Sequence, residues 1–310
     1  MQIACLGECM IELSGQPLQR RYGGDTLNTA VYLARLLRDG DSGSRVHYLT
    51  ALGCDRLSRE LLIDWQNEGI DTGRVAQLPG KLPGLYLVET DEHGERTFLY
   101  WRSDSAARHY FSGEIDFAAW FAPRSTQALY LSGISLALFP AARRAALIDA
   151  ISQFRRSGGT LWFDNNYRPA LWTAEEARPL HEQLIAMADI ALLTLDDEII
   201  LYGDHSASAA AARALSLGCG EVLIKRGAQP CLIVNRHGEW EVPAHAVERV
   251  VDTCAAGDSF AAGYLASRSL GLPPLQAAAN AHRVSAAVIA YPGAIIPTAA
   301  MPQLEFSLKQ

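Results

Sequence analysis

A chain of 310 residues, 49% of them hydrophobic and 20% charged, carries enough apolar material for a sizeable core and too balanced a composition for general disorder. With 27 Lys and Arg against 34 Asp and Glu, a net charge of −7 and no basic run, it has no electrostatic footprint for a phosphate backbone, so nucleic acid is not an expected partner. No stretch approaches about 18 uninterrupted apolar residues, and the first basic residue is Arg20, so neither a membrane span nor a signal-type start is expected and a cytoplasmic location is.

Residues 3–8, Ile-Ala-Cys-Leu-Gly-Glu, form a short apolar run with a polar end and read as a buried strand of an α/β sheet. Directly after Gly23 and Gly24, the residues Ala30, Val31, Leu33, Ala34 and Leu37 recur at helical spacing, so a helix begins behind a glycine pair. Residues 46–53 then read as a strand and 58–69 as a helix. This alternation implies a parallel sheet with helices on its faces.

Between about 80 and 105 the pattern changes: two aromatic and β-branched runs flank Asp91-Glu92-His93-Gly94, the signature of a β-hairpin. The stretch 10–21 has turn residues and no helical period, and is expected to pair with the hairpin in a small accessory sheet, a lid. After Ser112 the alternation resumes, with strands at 128–134, 160–166 and 190–195 and helices at about 140–157 and 175–188. An Ala-rich helix near 206–217, strands at 221–227, 231–235 and 239–244, and a long Ala-rich helix around 275–289 follow. No linker or repeat is visible, so a single domain over 1–310 is expected, its lid formed by about 10–22 and 80–105. The six cysteines are scattered, without a CxxC pair or zinc spacing, and read as buried reduced thiols.

The strongest chemical signal is Asp252-Thr253-Cys254-Ala255-Ala256-Gly257-Asp258-Ser259-Phe260, small residues between a β-branched strand and a helix. Small side chains let phosphate oxygens reach backbone N–H groups at a helix start, where the dipole also favours an anion. Asp258 in that start would be stabilised as a carboxylate and could accept a proton from an attacking hydroxyl. The same run also reads as an N-cap aspartate in a glycine-assisted turn. There is no GxxxxGK[ST] and no GxGxxG after the first strand, so neither a P-loop nor a dinucleotide site is indicated.

Tyr22-Gly23-Gly24-Asp25-Thr26-Leu27-Asn28 and the segment from Asp252 to Phe260 resemble, in order and spacing, the two signatures of the ribokinase-like (PfkB) carbohydrate kinases. Further segments, among them the tyrosine-bearing hairpin, Asn165-Asn166-Tyr167-Arg168-Pro169 and Ile224-Lys225-Arg226-Gly227, make the whole chain similar to the 2-keto-3-deoxygluconate kinases of that family. The resemblance implies a ribokinase-like α/β fold, a central mostly parallel sheet flanked by helices with a small β-sheet lid. The implied reaction is transfer of the ATP γ-phosphoryl group to the 6-hydroxyl of 2-keto-3-deoxygluconate, with fructokinase or ribokinase specificity and a non-catalytic sugar-binding protein as rival readings.

The resemblance assigns Asp258 as catalytic base. It places Gly24, Asn28, Tyr86, Tyr100, Arg102, Arg168 and Asp258 at the substrate, the arginines being planar donors suited to a carboxylate. It places Asn166, Lys225, Gly227, the backbone of Ala255, Ala256 and Gly257, and Asn280 at ATP, with Mg²⁺ carried largely by phosphates and water. Glu198 would act indirectly on the metal, Asp252 with Thr253 would adjoin a monovalent cation, and the lid would make a homodimer. Read without the family, Arg102 and Arg168 are equally surface ion-pair partners, and Tyr86 and Tyr100 a cross-strand pair. Two departures stand out. Ala255 replaces a usual glycine, so the loop is expected to do without an easy positive φ; and of an N-x-x-E motif, Leu195-Asp196-Asp197-Glu198 keeps only the Glu. As a free carboxylate, Asp258 would be a weak base of pKa about 3.9.

Overall fold

The computed structural model describes residues 1–15, 17–39, 43–90, 96–122 and 125–306. Strand β1 (Gln2–Leu6) is the first apolar run, and its pleat divides it between two faces: Ile3 and Cys5 enter one core, Ala4 and Leu6 the other. Then come β2 (Met10–Ser14), β3 (Gln19–Gly23) and helix α1 (Asp25–Asp39), which starts directly behind the glycine pair. The run at 46–53 is two strands, β4 (Arg45–Leu49) and β5 (Ala51–Gly53), because the chain leaves the main sheet after Leu49. Helix α2 (Arg56–Asn67), capped by the Asp55 side chain on the Ser58 N–H, leads to β6 (Ile70–Asp71) and β7 (Ala76–Leu78).

β8 (Gly84–Thr90) and β9 (Arg96–Trp101) are the two arms of the expected hairpin; its turn at 91–94 lies outside the described residues. Next are α3 (Ala106–Ser112), α4 (Phe117–Trp120), β10 (Ala128–Ser132), α5 (Gly133–Leu138) and α6 (Ala141–Arg156). They are followed by β11 (Thr160–Asp164), α7 (Ala174–Met187), β12 (Ile190–Thr194), α8 (Leu195–Tyr202) and α9 (Ala207–Leu217). β13 (Glu221–Lys225), β14 (Cys231–Asn235), β15 (Gly238–Val242), α10 (Ala256–Ser269) and α11 (Pro274–Ile289) complete the order. The strand expectations at 128–134 and 190–195 run too far: both strands end where a helix begins, the first through a capping box between Ser132 and Ser135.

The main sheet has the order β15-β14-β13-β12-β11-β10-β1-β4-β6 among the described residues, parallel from β13 to β6, with β14 and β15 added antiparallel. A second sheet, β3-β2-β8-β9, is the expected accessory sheet, and in it β2 pairs parallel with β8. One face of the main sheet packs on α1, α10 and α11 through Leu33, Tyr264 and Val284; the other packs on α6 and α7 through Ile151, Leu184 and Ile185. Burying each such side chain contributes about 1.5–3 kcal/mol, and burial on both faces is why the strands read as apolar runs.

Among the described residues no helix is long and apolar enough to cross a membrane. The cysteines are free; Cys5, Cys9, Cys219 and Cys231 are buried as expected, but Cys54 is exposed and Cys254 only partly covered.

Helices α10 and α11 approach at Gly263, where a Cβ would lie 2.8 Å from Ala281 Cα and 3.2 Å from Val284 Cγ2. Gly263→Val should therefore lower stability by about 1–3 kcal/mol through overpacking. The measurement is a lower urea midpoint at constant slope; an unchanged midpoint would show that the helices can part at no cost.

Candidate active site

The chain reverses direction across the sheet between β1 and β10: β4 and β6 lie on one side, β11, β12 and β13 on the other. Open α/β sheets bind ligands at the carboxyl ends of strands beside such a reversal. Here those ends carry Ser132, Asp164, Thr194 and Lys225. The last three line a cavity of about 440 Å³, closed by the start of α10 and faced by Tyr86, Phe98 and Tyr100 of the small sheet. It also brings together Gly24, Asn28, Asn166, Arg168, Ala255, Ala256, Gly257 and Asp258.

The start of α10 is built for an anion. Its N-cap, Ala255, makes no side-chain capping bond, and the first-turn N–H groups of a helix have no intrahelical acceptor. Ala255 has φ +58°, the one non-glycine residue with positive φ among the described residues. The expectation that this loop avoids positive φ is therefore wrong: the Cβ is tolerated in the left-handed region, at a cost of about 1–2 kcal/mol, because the turn into α10 requires it. Lys225 Nζ donates to Asp164 Oδ2 at 2.7 Å and lies 3.7 Å from where a Cβ of Gly257 would be, so an ammonium stands beside the helix start.

Asp258, in the first turn of α10, accepts from Asn28 Nδ2 at 2.8 Å, and Thr29 Oγ1 donates to its carbonyl at 3.2 Å. Burial, with Asp25 and Asp164 as like charges, pushes the Asp258 carboxyl up to about 7, against the lowering effects of Asn28 and Lys225. This corrects the sequence expectation of a weakly basic carboxylate: desolvation outweighs the helix dipole, and the group is poised to exchange a proton near neutrality. Asp25, raised by its own burial, accepts from Ser132 Oγ and from Asn166 Nδ2, the latter at 2.8 Å. Asp25 was not singled out from the sequence, although it sits inside the Gly24-to-Asn28 element.

A second cavity of about 360 Å³ shares Gly24, Asp25, Tyr100 and Arg168 with the first and adds Glu8, Arg102 and Arg108. Gly24 is confined by packing, since a Cβ there would lie 2.2 Å from Glu8 O. Tyr86 and Tyr100 are direct cross-strand partners with ring centroids 5.9 Å apart, so the pair is real as a sheet contact and also faces the cavity. Tyr86 Oη donates to the buried Glu12 at 2.5 Å. Arg102 ion-pairs with the buried Glu8, whereas Arg168 is half exposed, 3.8 Å from Asp197 Oδ1.

Four expected site residues are not in the lining of this cavity. Asn280 is buried in α11, donating to Ser267 Oγ at 3.1 Å and Glu305 O at 3.4 Å; the α11 side chain that reaches the start of α10 is Ser285, which donates to Ala256 O at 3.0 Å. Helical periodicity placed the long helix without saying which end meets the cavity. Gly227 stands in the turn two residues past Lys225, at φ +59° with open space around it and outside the cavity lining. Glu198 is fully buried, bound by Arg213 and by Asn165 Nδ2 at 2.9 Å, and burial pushes it up to about 7. Its neighbours Asp196 and Asp197 line the cavity instead. Asp252 spends its oxygens on backbone, accepting from Cys254 N and Gly293 N at 2.8 Å each.

A helix start with open N–H groups beside a desolvated carboxylate, both lining one cavity, suits the movement of a phosphoryl group to a hydroxyl. Comparison with known proteins agrees. The chain belongs to the pfkB family of carbohydrate kinases, whose model matches residues 1–301. It is 48% identical over 308 residues to a 2-dehydro-3-deoxygluconokinase of Dickeya dadantii (strain 3937), covering 97% of this chain and 98% of that protein. To the 2-dehydro-3-deoxygluconokinase of Escherichia coli (strain K12) it is 46% identical over 307 residues, 97% of this chain and 99% of the other. Among solved structures, a PfkB protein from Polaromonas sp. JS666 superposes with TM-score 0.80 at 28% identity, covering 92% of this chain and 94% of that one.

Asp258→Asn should reduce kcat by about 10²–10⁴-fold while acceptor affinity survives, and turnover close to that of the unaltered protein would refute the assignment. The base form of Asp258 prevails above its raised pKa, so kcat/KM should climb as pH rises through about 7. A pH profile flat from 5 to 8 (roughly the span over which such a group titrates) would show that Asp258 is not the titrating base.

Proposed function

We propose that the chain phosphorylates 2-keto-3-deoxygluconate at its 6-hydroxyl with ATP, giving the 6-phosphate. The observation that supports this best is that the cavity holding Asp258 shares Gly24, Asp25, Tyr100 and Arg168 with a neighbouring cavity lined also by Arg102 and Arg108. A sugar acid would lie with its carboxylate toward Arg102 and Arg168 and its middle hydroxyls against Gly24, Asn28, Tyr86 and Tyr100. Its terminal hydroxyl would then stand at Asp258, which takes the proton as the new P–O bond forms and the bond to the leaving phosphate breaks.

The triphosphate would lie along Asn166, Lys225 and the backbone of Ala255, Ala256 and Gly257, where preorganised N–H donors stabilise the charge that develops on the transferred group. Gly227 would face the nucleotide from the open side. Among the described residues no group of three His, Cys, Asp or Glu side chains is placed to hold a metal ion by itself, so Mg²⁺ would be held chiefly by phosphate oxygens and water, supplying charge neutralisation there. A monovalent cation beside Asp252 and Thr253 would have to be held mainly by backbone carbonyls.

The chain would act as a single domain whose small sheet closes as a lid, excluding water from the reacting phosphate. The outer face of that sheet exposes Leu99 and Trp101, and pairing of two such faces would make a homodimer in the cytoplasm.

The test is a coupled ADP-release assay with Mg-ATP against 2-keto-3-deoxygluconate, its galactonate epimer, fructose and ribose. The keto-deoxy acids should exceed the neutral sugars in kcat/KM by about 10–100-fold or more, the value of one charged hydrogen-bonded partner. Faster turnover of fructose or ribose would keep the kinase and discard the carboxylate site.

A further inference from the structure

Asp25 lines both cavities, so its carboxylate stands where the phosphate side and the acceptor side of the site meet. It belongs to the first turn of α1, and its Oδ2 takes donors from two other parts of the chain. Asn166, just past β11, donates its Nδ2 at 2.8 Å. Ser132, at the end of β10, donates its Oγ, the same oxygen that caps α5 by accepting the Ser135 N–H at 3.2 Å. The backbone of Asn166 is held separately, its N–H donating to Asn165 Oδ1 at 2.8 Å. Asp25 therefore fixes the side chain of Asn166 rather than the loop that carries it.

The same helix turn holds the other wall. Asn28, one turn on from Asp25, donates to Asp258 at 2.8 Å, and Thr29 Oγ1 lies 3.1 Å from Asp25 O and 3.2 Å from Asp258 O. An acid in a first turn gains from the helix dipole while facing water, but Asp25 is turned into the site. There burial raises its proton affinity, and Ser132, the Thr26 N–H and Asn166 lower it. Hydrogen bonds to a charged acceptor are the stronger kind, so one turn of α1 joins the Asn166 side chain to the Asp258 carboxylate.

We propose that Asp25 is a positioning residue for the transfer: it ties the side chain of Asn166, on the phosphate side, to the turn of α1 that holds Asp258 through Asn28, on the acceptor side. This deepens the reading above and rests on it, since it takes Asp258 as the base and Asn166 as a group at ATP. The charge of Asp25 acts as well. Asp25 and Tyr32 of α1, Tyr130 of β10, Asp164 of β11 and Lys225 of β13 are the charged or titratable groups that act on Asp258 or feel its charge. Tyr86, Tyr100, Arg168, Asp196, Asp197 and Cys254 also stand on the cavity wall. Burial keeps Tyr32 and Tyr130 protonated, and Asp164 is paired with Lys225 at 2.7 Å. Of the like charges, Asp25 raises Asp258 most, so its removal makes Asp258 a weaker base that is ionised at lower pH.

The test measures ADP release with Mg-ATP varied for Asp25→Ala, Asn166→Ala and the double variant, and with 2-keto-3-deoxygluconate varied across about pH 5 to 9 for Asp25→Asn. Each alanine variant should raise KM for Mg-ATP by about 10-fold, and the double variant by about the same factor, because the second substitution removes a contact already lost. Separate effects that multiply to about 100-fold would overturn the proposal. Asp25→Asn should move the ascending limb of kcat/KM about 1 pH unit below that of the unaltered protein, a displacement that a purely structural role would not produce; a limb that stays in place would also overturn it. Should Asp25→Ala fail to fold, Asp25→Ser, which keeps a short polar group at the helix start, carries the same comparison. If the unaltered protein shows no ascending limb, or Asn166→Ala leaves KM for ATP unchanged, the role of Asp258 or of Asn166 fails first, and this inference falls with it.

Discussion

Three carboxylates gathered around one lysine set the terms for the rest of this structure. Asp25, Asp164 and Asp258 come from α1, β11 and α10, and Lys225 from β13 brings a positive charge among them. Like charges removed from water cannot all ionise freely. The surrounding donors Ser132, Asn166 and Asn28 satisfy part of that demand, and what remains appears as the raised proton affinity of Asp258. The large two-faced core offsets the cost of keeping such a cluster together.

Two further buried acids connect the small sheet to this centre. Glu12 receives the Tyr86 hydroxyl, and Glu8 receives both Arg102 and Ser105. Each converts a flexible polar side chain into a wall of fixed shape, and both lie on or just before β2, the strand that pairs with the hairpin. Tyr86, Tyr100 and Arg102, on the hairpin strands or directly after them, are thereby tied to the small sheet, while the start of α10 and Lys225 belong to the main body.

Much of this was legible in the chain. Period-2 and period-3.6 patterns located the sheet, its covering helices and the hairpin, and the two glycine-bearing signatures located opposite walls of the cavity. Where the motifs and the cavity lining part, the reason is tertiary. Asn280 was credited with a site because it lies on a late helix, but α11 runs antiparallel to its neighbour and presents Ser285 there. Glu198 was chosen from its motif, but Asp196 and Asp197 of the same turn line the cavity.

Sequence alone determined which residues are apolar at which spacing, where small side chains open the backbone to an anion, and which carboxylate stands in that helix start; these are local properties, set within a few residues of chain. Only the tertiary structure decided how basic Asp258 is and that Ala255 adopts a left-handed conformation. Those depend on desolvation and on charges hundreds of residues away, such as the contact between Asn28 and Asp258, which no local pattern encodes.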